Sequence, residues 1–460
     1  LHKQKSAFTD ERYKSDYVPV ELLQSRIDFP IATNLSAKNK IMKAPMTEML
    51  ATFSWNDPSK NGIPNDELLT LYKRWNDGGT AIIVTGCIAV THKDLEGIGN
   101  AIIAKEVETD ERREQFEKLA ATVTDGTLII AQIIHPGRRA VTISDDYKSP
   151  DMNFVSIAYL KDLVQRHIYA AEFLKTCDMN FVSMAYLKDL VQRHIYAAEF
   201  LKTCGFHGVE INVALDFALG QLVDASTNSR SDEYGGSLMN RTRILFEIIK
   251  GIRKHINDDK NFIVGMKMSS TNYVSAYDEE EFAHYCKQLD RVGLDYVTLT
   301  GGEYGSIKMI ESAQRESTKQ RQAFFAKFIT AVRMNLKNVR AFICGGLRSA
   351  EQMWEAIYEG WCDGVAMAKP LAAEPDLSRR ILNEEVRSAK KTLIEQFDYY
   401  TAKDAAGTQM WQIANKKPIF DLMNEHHVDA FRKALKEHEA KAKTLGAPLE
   451  NFGYPKFEII

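Results

Sequence analysis

Short apolar runs rich in β-branched residues alternate along this chain with longer stretches whose apolar residues recur at helical spacing. The strand-like runs fall at 40–44, 81–85, 128–133, 208–212, 262–268, 296–300, 341–344 and 364–367. Eight strand–helix units imply a parallel sheet, because a crossover through a helix returns the chain in the direction it left. A closed (β/α)8 barrel suits that number, and no G-x-G-x-x-G follows an early strand, as an open dinucleotide-binding sheet would require. The expectation is an α/β fold: a (β/α)8 TIM barrel over 25–390, preceded by an arm over 1–24. A C-terminal helical extension follows over 391–460, rich in Lys, Glu and Ala and helically periodic at 428–442. Functional groups are then sought at the C-terminal ends of the strands.

One interruption stands out. Residues 151–177 (DMNFVSIAYLKDLVQRHIYAAEFLKTC) are followed directly by a second copy at 178–204, and the two differ only at Ile157 and Met184. Fold constraint does not preserve identity at solvated positions, so the doubling reads as a recent duplication or an assembly error, not a solenoid. Each copy carries an amphipathic helix after a short extended lead; the second copy runs through Cys204-Gly205 into the fourth strand and is expected to fill the third helix slot.

Charge and cysteine usage narrow the function classes. With 59 Lys+Arg against 62 Asp+Glu the net charge is −3, which offers no polyanion-binding surface. No apolar run reaches the roughly 18 residues of a membrane span, and the polar N-terminal 20 residues lack a secretory pattern, so the expected setting is cytoplasmic. Cys87, Cys177, Cys204, Cys286, Cys344 and Cys362 form no C-x-x-C pair, which leaves no zinc or iron–sulfur framework.

The strand ends carry the chemistry: Ala44-Pro45-Met46-Thr47 after the first, Thr85-Gly86-Cys87 after the second, and Gln132-Ile133-Ile134-His135-Pro136-Gly137-Arg138 after the third. The fifth ends in Lys267-Met268-Ser269, the seventh in Gly345-Gly346-Leu347-Arg348, the eighth in Ala368-Lys369-Pro370. Backbone N–H groups after strands seven and eight, at the starts of the following helices, make a phosphate site in such barrels. Between the fourth and fifth strands lies Asn228-Ser229-Arg230-Ser231-Asp232-Glu233-Tyr234-Gly235-Gly236-Ser237-Leu238-Met239-Asn240-Arg241. This is similar to the N-x-R-x-D-x-Y-G-G-S-x-E-N-R signature of the Old Yellow Enzyme family of FMN-dependent NAD(P)H:flavin oxidoreductases, with Met239 in place of Glu. The A-P-M-T, Q-x-x-H-P-G-R and G-G-x-R elements stand in family order around it, and the resemblance covers about 25–390.

The resemblance implies FMN, bound noncovalently, with NADH or NADPH as hydride donor. It places Pro45, Met46 and Thr47 against the flavin ring, with the Thr47 hydroxyl on a ring carbonyl. It makes room for the ring at Gly86, puts Gln132 at the pyrimidine edge, and sets Lys267 beside N1 where the family has Arg. The phosphate would rest on Gly345, Gly346, Ala368 and Lys369, the last pair replacing Gly-Arg. Lys267 keeps the charge but not the planar fork, while at the phosphate the Ala368 methyl crowds a close backbone approach and Lys369 keeps a point charge, so weakened but not abolished FMN binding is expected.

The fourth strand departs from the family. After Gly208-Val209-Glu210-Ile211 the family continues His-x-x-His/Asn and then Gly-Tyr, groups that clamp the acceptor's carbonyl oxygen and deliver a proton. Here Asn212, Leu215 and Phe217 stand instead. Asn212 still donates a hydrogen bond, whereas Leu215 and Phe217 have no proton to offer. The candidate catalytic residues are therefore Asn212 and, as a substitute acid on the sixth strand's loop, Tyr304, which also reads as a plain loop aromatic. His135 before Pro136 reads as a loop anchor, and Cys87 as a small buried side chain. The expected function is hydride transfer from NAD(P)H through flavin to an electron-poor small molecule, as a weakened ene reductase. The alternative is a flavin-binding or structural paralogue with little activity. Larger dienoyl-CoA reductase relatives are disfavoured, since no cysteine follows Cys362 to hold their cluster.

Overall fold

The computed structural model describes residues 12–54, 57–140, 178–214, 217–270, 278–301, 316–394, 398–444 and 453–459, with backbone alone for 316–324 and 326. In chain order the barrel runs β1 (Ile41–Lys43), α1 (Asp66–Asp77), β2 (Ile82–Ala89), α2 (Asp110–Ala120), β3 (Leu128–Ile134), α3 (Met184–Thr203) and β4 (Gly208–Asn212). It continues with α4 (Arg243–His255), β5 (Ile263–Ser269), α5 (Glu279–Leu289), β6 (Tyr296–Thr300), α6 (Glu316–Asn335), β7 (Arg340–Cys344), α7 (Ala350–Tyr358) and β8 (Gly364–Met367). Every neighbouring pair around the ring is parallel, and β8 pairs β1 while β1 pairs β2, so the eight-stranded sheet closes. Two short helices, Lys369–Ala373 and Leu377–Leu382, occupy the place after β8. The expected eight strands are all present, with ends moved by at most a few residues.

Side-chain alternation sorts each strand. In β3, Leu128 and Ile130 join the barrel-interior cluster with Met42, Ile82, Ile263, Tyr296 and Phe342, whereas Ile129, Ala131 and Ile133 pack outward against the helices. The helices complete the outer layer because their apolar stripes face inward. On α3, Leu187, Leu190, Val191, Ile195, Ala198 and Leu201 are buried, and each such side chain contributes roughly 1.5–3 kcal/mol where it is a Val, Leu or Ile. The helix starts at Ser183, whose hydroxyl accepts the Tyr186 N–H, and ends at Cys204. It is built wholly from the second copy of the duplicated unit; residues 151–177 lie outside the described residues. An antiparallel pair, Ile27–Asp28 with Ser36–Ala37, closes the barrel floor through Ile27, Phe29, Ala32 and Ala37.

Beyond the barrel, α8 (Tyr399–Ala414) lies against α1 and the 369–373 helix, and α9 (Glu425–Thr444) follows. Phe420, Val428, Phe431 and Leu435 form a separate small core there with Ile394 and Ala405.

Candidate active site

Period-two alternation changes character at the top of the barrel: above Leu128 and Ile130 the next inward residue is Gln132, and on β4 and β5 it is Glu210, Asn212 and Lys267. Gln132, Asn212 and Lys267 floor a cavity of about 510 Å³ at the C-terminal ends of the strands. Pro45, Met46, Thr47, Gln132, Asn212, Lys267, Ala368 and Lys369 all line it, together with Cys87, Glu96, Phe217 and Cys344. Expected cofactor positions and the candidate Asn212 are thereby brought together from β1, β3, β4, β5 and β8, while Gly86, Gly345 and Gly346 stand outside the lining. Tyr304 and Leu215 lie outside the described residues.

A buried carboxylate orients the floor. Glu210 is fully buried and accepts hydrogen bonds from Gln132 Nε2 (2.7 Å), Tyr296 OH (3.1 Å) and Thr298 Oγ1 (2.7 Å). Gln132 Oε1 in turn accepts from Asn212 Nδ2 (3.3 Å) and lies 3.5 Å from the Cys87 thiol, while Asn212 Oδ1 accepts the Ala214 N–H (2.9 Å). Counting donors, Gln132 and Asn212 each retain one unused amide N–H, and the Gln132 oxygen is spent. The expectation that Gln132 offers both a donor and an acceptor is thus corrected: this pair presents donors, which suit carbonyl oxygens or ring nitrogens.

Two further expectations change. Thr47 Oγ1 donates to Glu96 Oε2 at 2.8 Å, so its proton is not directed to a ring carbonyl and toward the cavity it acts as an acceptor. Gly86 does not line the cavity. A Cβ there would lie 1.9 Å from Glu48 Oε2, so the missing side chain makes room for Glu48. The Gly86 N–H donates to Glu48 Oε1 (2.9 Å) and contacts Tyr72 OH (3.1 Å), and Tyr72 also bonds Glu48. The register of β2 against β3 slips between Val84 and Cys87, and the Val84 carbonyl accepts from the fully buried Lys43 Nζ (2.9 Å). Lys43 sits over the Trp75 ring, 4.1 Å from its centroid, and burial lowers its ammonium to about 8. Glu48, Tyr72 and Lys43 therefore support the bulge that carries Gly86 and Cys87.

The phosphate end has a different build from the one expected. Gly345 (φ 130°) and Gly346 (φ 77°) form an open turn in conformations that L side chains rarely adopt, and a Cβ at either position would meet none of the described residues within 4 Å. The helix after β7 begins only at Ala350, where the Ser349 hydroxyl already caps it, and the helix after β8 is five residues long. Positive charge there comes mainly from side chains. Burial, reinforced by Arg348, lowers the Lys369 ammonium to about 8, while Asp398 opposes the shift. Lys369 Nζ stands 5.3 Å from the Tyr399 ring centroid. Lys267 is nearly buried and, among the described residues, has no hydrogen bond or ion pair, so its charge opens into the cavity. A donor-rich floor, a cavity lined by Arg139, Lys267, Lys369 and Lys403, and an open glycine turn beside Arg348 fit a flat heterocycle carrying a phosphate.

The other singled-out residues have structural roles. His135 Nδ1 accepts the Gly137 N–H (3.1 Å) and Nε2 bonds Tyr186 OH (2.8 Å), which ties the β3 loop to α3. Burial raises the Cys87 thiol well above its ordinary value, first through desolvation and then through Glu96. The long signature works outside the cavity: Asn228 Nδ2 donates to the Leu222 and Tyr234 carbonyls, Arg230 Nη1 to those of Met179 and Val182, and Arg241 Nε to that of Val223. The cavity's outer wall holds residues that motif reading missed, namely Tyr399, Tyr400, Lys403, Ala406 and Met410 of α8, and Tyr454 near the chain's end. They follow no pattern that could have pointed to them.

Comparison with known proteins finds relatives along most of the chain. Residues 30–387 match the model of the NADH:flavin oxidoreductase / NADH oxidase family. The NADH-dependent flavin oxidoreductase nadA of Aspergillus parasiticus is 31% identical over 439 residues, spanning 91% of this chain and 92% of that protein. The NADH-dependent flavin oxidoreductase iliE of Hypocrea jecorina is 26% identical over 387 residues, 81% of this chain and 92% of that one. Among solved structures, the old yellow enzyme from Trypanosoma cruzi superposes with a TM-score of 0.60 at 20% identity, over 80% of this chain and 94% of its own.

Proposed function

Since the chain belongs to the NADH:flavin oxidoreductase / NADH oxidase family and is an FMN-dependent enzyme with NADH or NADPH as hydride donor, we propose that it is a weakened ene reductase whose cofactor is held by the residues of the barrel-top cavity. FMN, when bound, supplies hydride acceptance from the nicotinamide and hydride donation to the acceptor. Pro45 and Met46 offer backbone and apolar contact to its ring, Gln132 an N–H, and Lys267 a charge. Lys369 takes its phosphate from the cavity wall, and the Gly345-Gly346 turn and Arg348 adjoin that end from outside the lining. The observation that carries this reading is the convergence of Lys267, Gln132 and Lys369 on one cavity.

Reduction of an enone needs an oxyanion clamp and an acid in addition to hydride. Asn212 retains one N–H for an acceptor oxygen. Phe217, buried at the cavity edge, has no proton to transfer. One absent oxyanion donor corresponds to about 2.7–4 kcal/mol in comparable sites, and a missing general acid to about 10²–10⁴-fold in rate. The proposal therefore separates the two half-reactions: nicotinamide oxidation proceeds, and enone reduction is slow. An absorbance spectrum of the purified chain, before and after anaerobic NADPH, tests it. Yellow protein that bleaches quickly and is reoxidised slowly by 2-cyclohexen-1-one is the expected outcome; protein that takes up no added FMN refutes the assignment, and enone turnover as fast as bleaching refutes the weakening.

A further inference from the structure

The family match ends at residue 387, yet the cavity does not. Its outer wall is made by Tyr399, Tyr400, Lys403 and Met410 of α8 and by Tyr454, all beyond that limit. The wall is a built structure. Tyr454 OH donates to the Thr47 carbonyl at 2.8 Å, joining the chain's last segment to the loop after β1. The Tyr454 ring lies against Gly407 of α8, where a Cβ would come within 2.1 Å of Cγ, so α8 approaches that ring only because residue 407 has no side chain. Thr408 Oγ1 donates to the Pro455 carbonyl (2.7 Å), Gln412 Nε2 to that of Phe457 (3.2 Å), and His438 Nε2 bonds that of Gly453 (2.9 Å). Asn415 Nδ2 reaches Glu67 Oε1 on α1 at 2.7 Å and anchors the far end of α8 to the barrel.

The chemistry of this wall differs from that of the floor. It presents three phenol rings and a thioether, with Lys403 Nζ 5.9 Å from the Tyr454 centroid and burial holding the Tyr454 phenol protonated well above its ordinary range. Such a surface offers broad, rigid π-faces and few directional partners, which suits flat aromatic molecules better than small aliphatic ones. We propose that α8, with Tyr454 packed on it, is the acceptor-selecting element of this enzyme, and that it favours flat, fused-ring carbonyl compounds, with Tyr454 and Tyr400 as specificity-determining residues. This rests on the flavin reading above, because the floor opposite the wall is assigned to FMN.

The test is equilibrium binding to the oxidised holoenzyme without nicotinamide, where no turnover occurs. Menadione serves as the fused-ring carbonyl and 2-cyclohexen-1-one as the small one, both titrated by calorimetry, with FMN content measured in each preparation. Tyr454→Ala is expected to weaken menadione by about tenfold and 2-cyclohexen-1-one by less than about threefold, and Tyr454→Phe, which keeps the ring, to retain most of the preference. Tyr400→Leu, at a half-buried helix position, is expected to shift the ratio the same way, with its melt compared to that of the parent. Equal losses for both compounds in FMN-replete Tyr400→Leu and Tyr454→Ala overturn the proposal and leave the flavin assignment standing. A parent chain that holds no FMN overturns both.

Discussion

Lys369 makes the phosphate end of the cavity titratable in a range where the FMN phosphate changes charge little. Its ammonium is lowered to about 8 by burial and by the neighbouring Arg348, against the attraction of Asp398. With that value about nine-tenths of the side chains are cationic at pH 7 and about 3% at pH 9.5, so FMN affinity is expected to fall about 7- to 25-fold across the interval for a charge worth about 10- to 150-fold. The sign follows from the cation: binding of the phosphate favours the protonated amine, so affinity is full about a unit or more below pH 8 and is lost as pH rises through it. The phosphate is already about nine-tenths dianionic at pH 7, because its second ionisation is centred near pH 6. Lys43, also near 8, lies behind the β2 bulge and would affect the ring and not the phosphate, so the ratio of FMN to riboflavin affinity isolates Lys369. Fluorescence titration of apoprotein with both ligands at half-unit pH steps measures it. Lys369→Arg should remove the pH dependence, and Lys369→Ala should weaken FMN about 10- to 150-fold at pH 7, from about 1.5–3 kcal/mol for a charged hydrogen bond, with little effect on riboflavin. A ratio that stays flat from pH 7 to 9.5, or equal losses of both ligands in the alanine variant, would show that the phosphate is held elsewhere.

Other outcomes follow from the same structure. His194 is fully buried, its Nε2 has no partner among the described residues, and burial lowers its imidazole to about 4. Between pH 6.5 and 4 the unfolded chain therefore binds a proton that the folded chain refuses, and stability falls with decreasing pH by up to roughly 3 kcal/mol; urea midpoints at pH 7 and 4.5 should differ less in His194→Gln than in the parent, and an identical difference would exclude the histidine. Asn212→His, Leu215→Asn and Phe217→Tyr combined should raise 2-cyclohexen-1-one turnover far more than the rate of flavin bleaching by NADPH; parallel increases in stopped flow would show that the fourth strand does not limit enone reduction. Deletion of 151–177 should preserve the far-ultraviolet circular dichroism and the cooperative melt, because α3 is supplied by the second copy; loss of the melt would mean that the first copy is structural.

Strand positions, helix slots and the glycine turn after β7 were legible in the sequence because each depends on neighbours a few residues away. Period-two alternation places Leu128, Ile130 and Gln132 on one face whatever surrounds them, and Gly345-Gly346 marks a turn by its backbone freedom alone. The family signature was equally legible, although Asn228, Arg230 and Arg241 prove to bind backbone carbonyls outside the cavity. What tertiary structure decided was the choice of partner. Thr47 could have donated to a ligand, but Glu96, brought beside it from the β2 loop, takes its proton. Gln132 could have presented either end of its amide, but Glu210 from the next strand fixes it. Gly86 resembled an opening for a ring, and Glu48 fills the space. Tyr454 is 407 positions from the Thr47 carbonyl it bonds, a separation that no local period can encode. Such contacts depend on closing the barrel and folding the C-terminal segment over its mouth, and a hydrogen bond, being short and directional, is assigned only once both of its ends are in place.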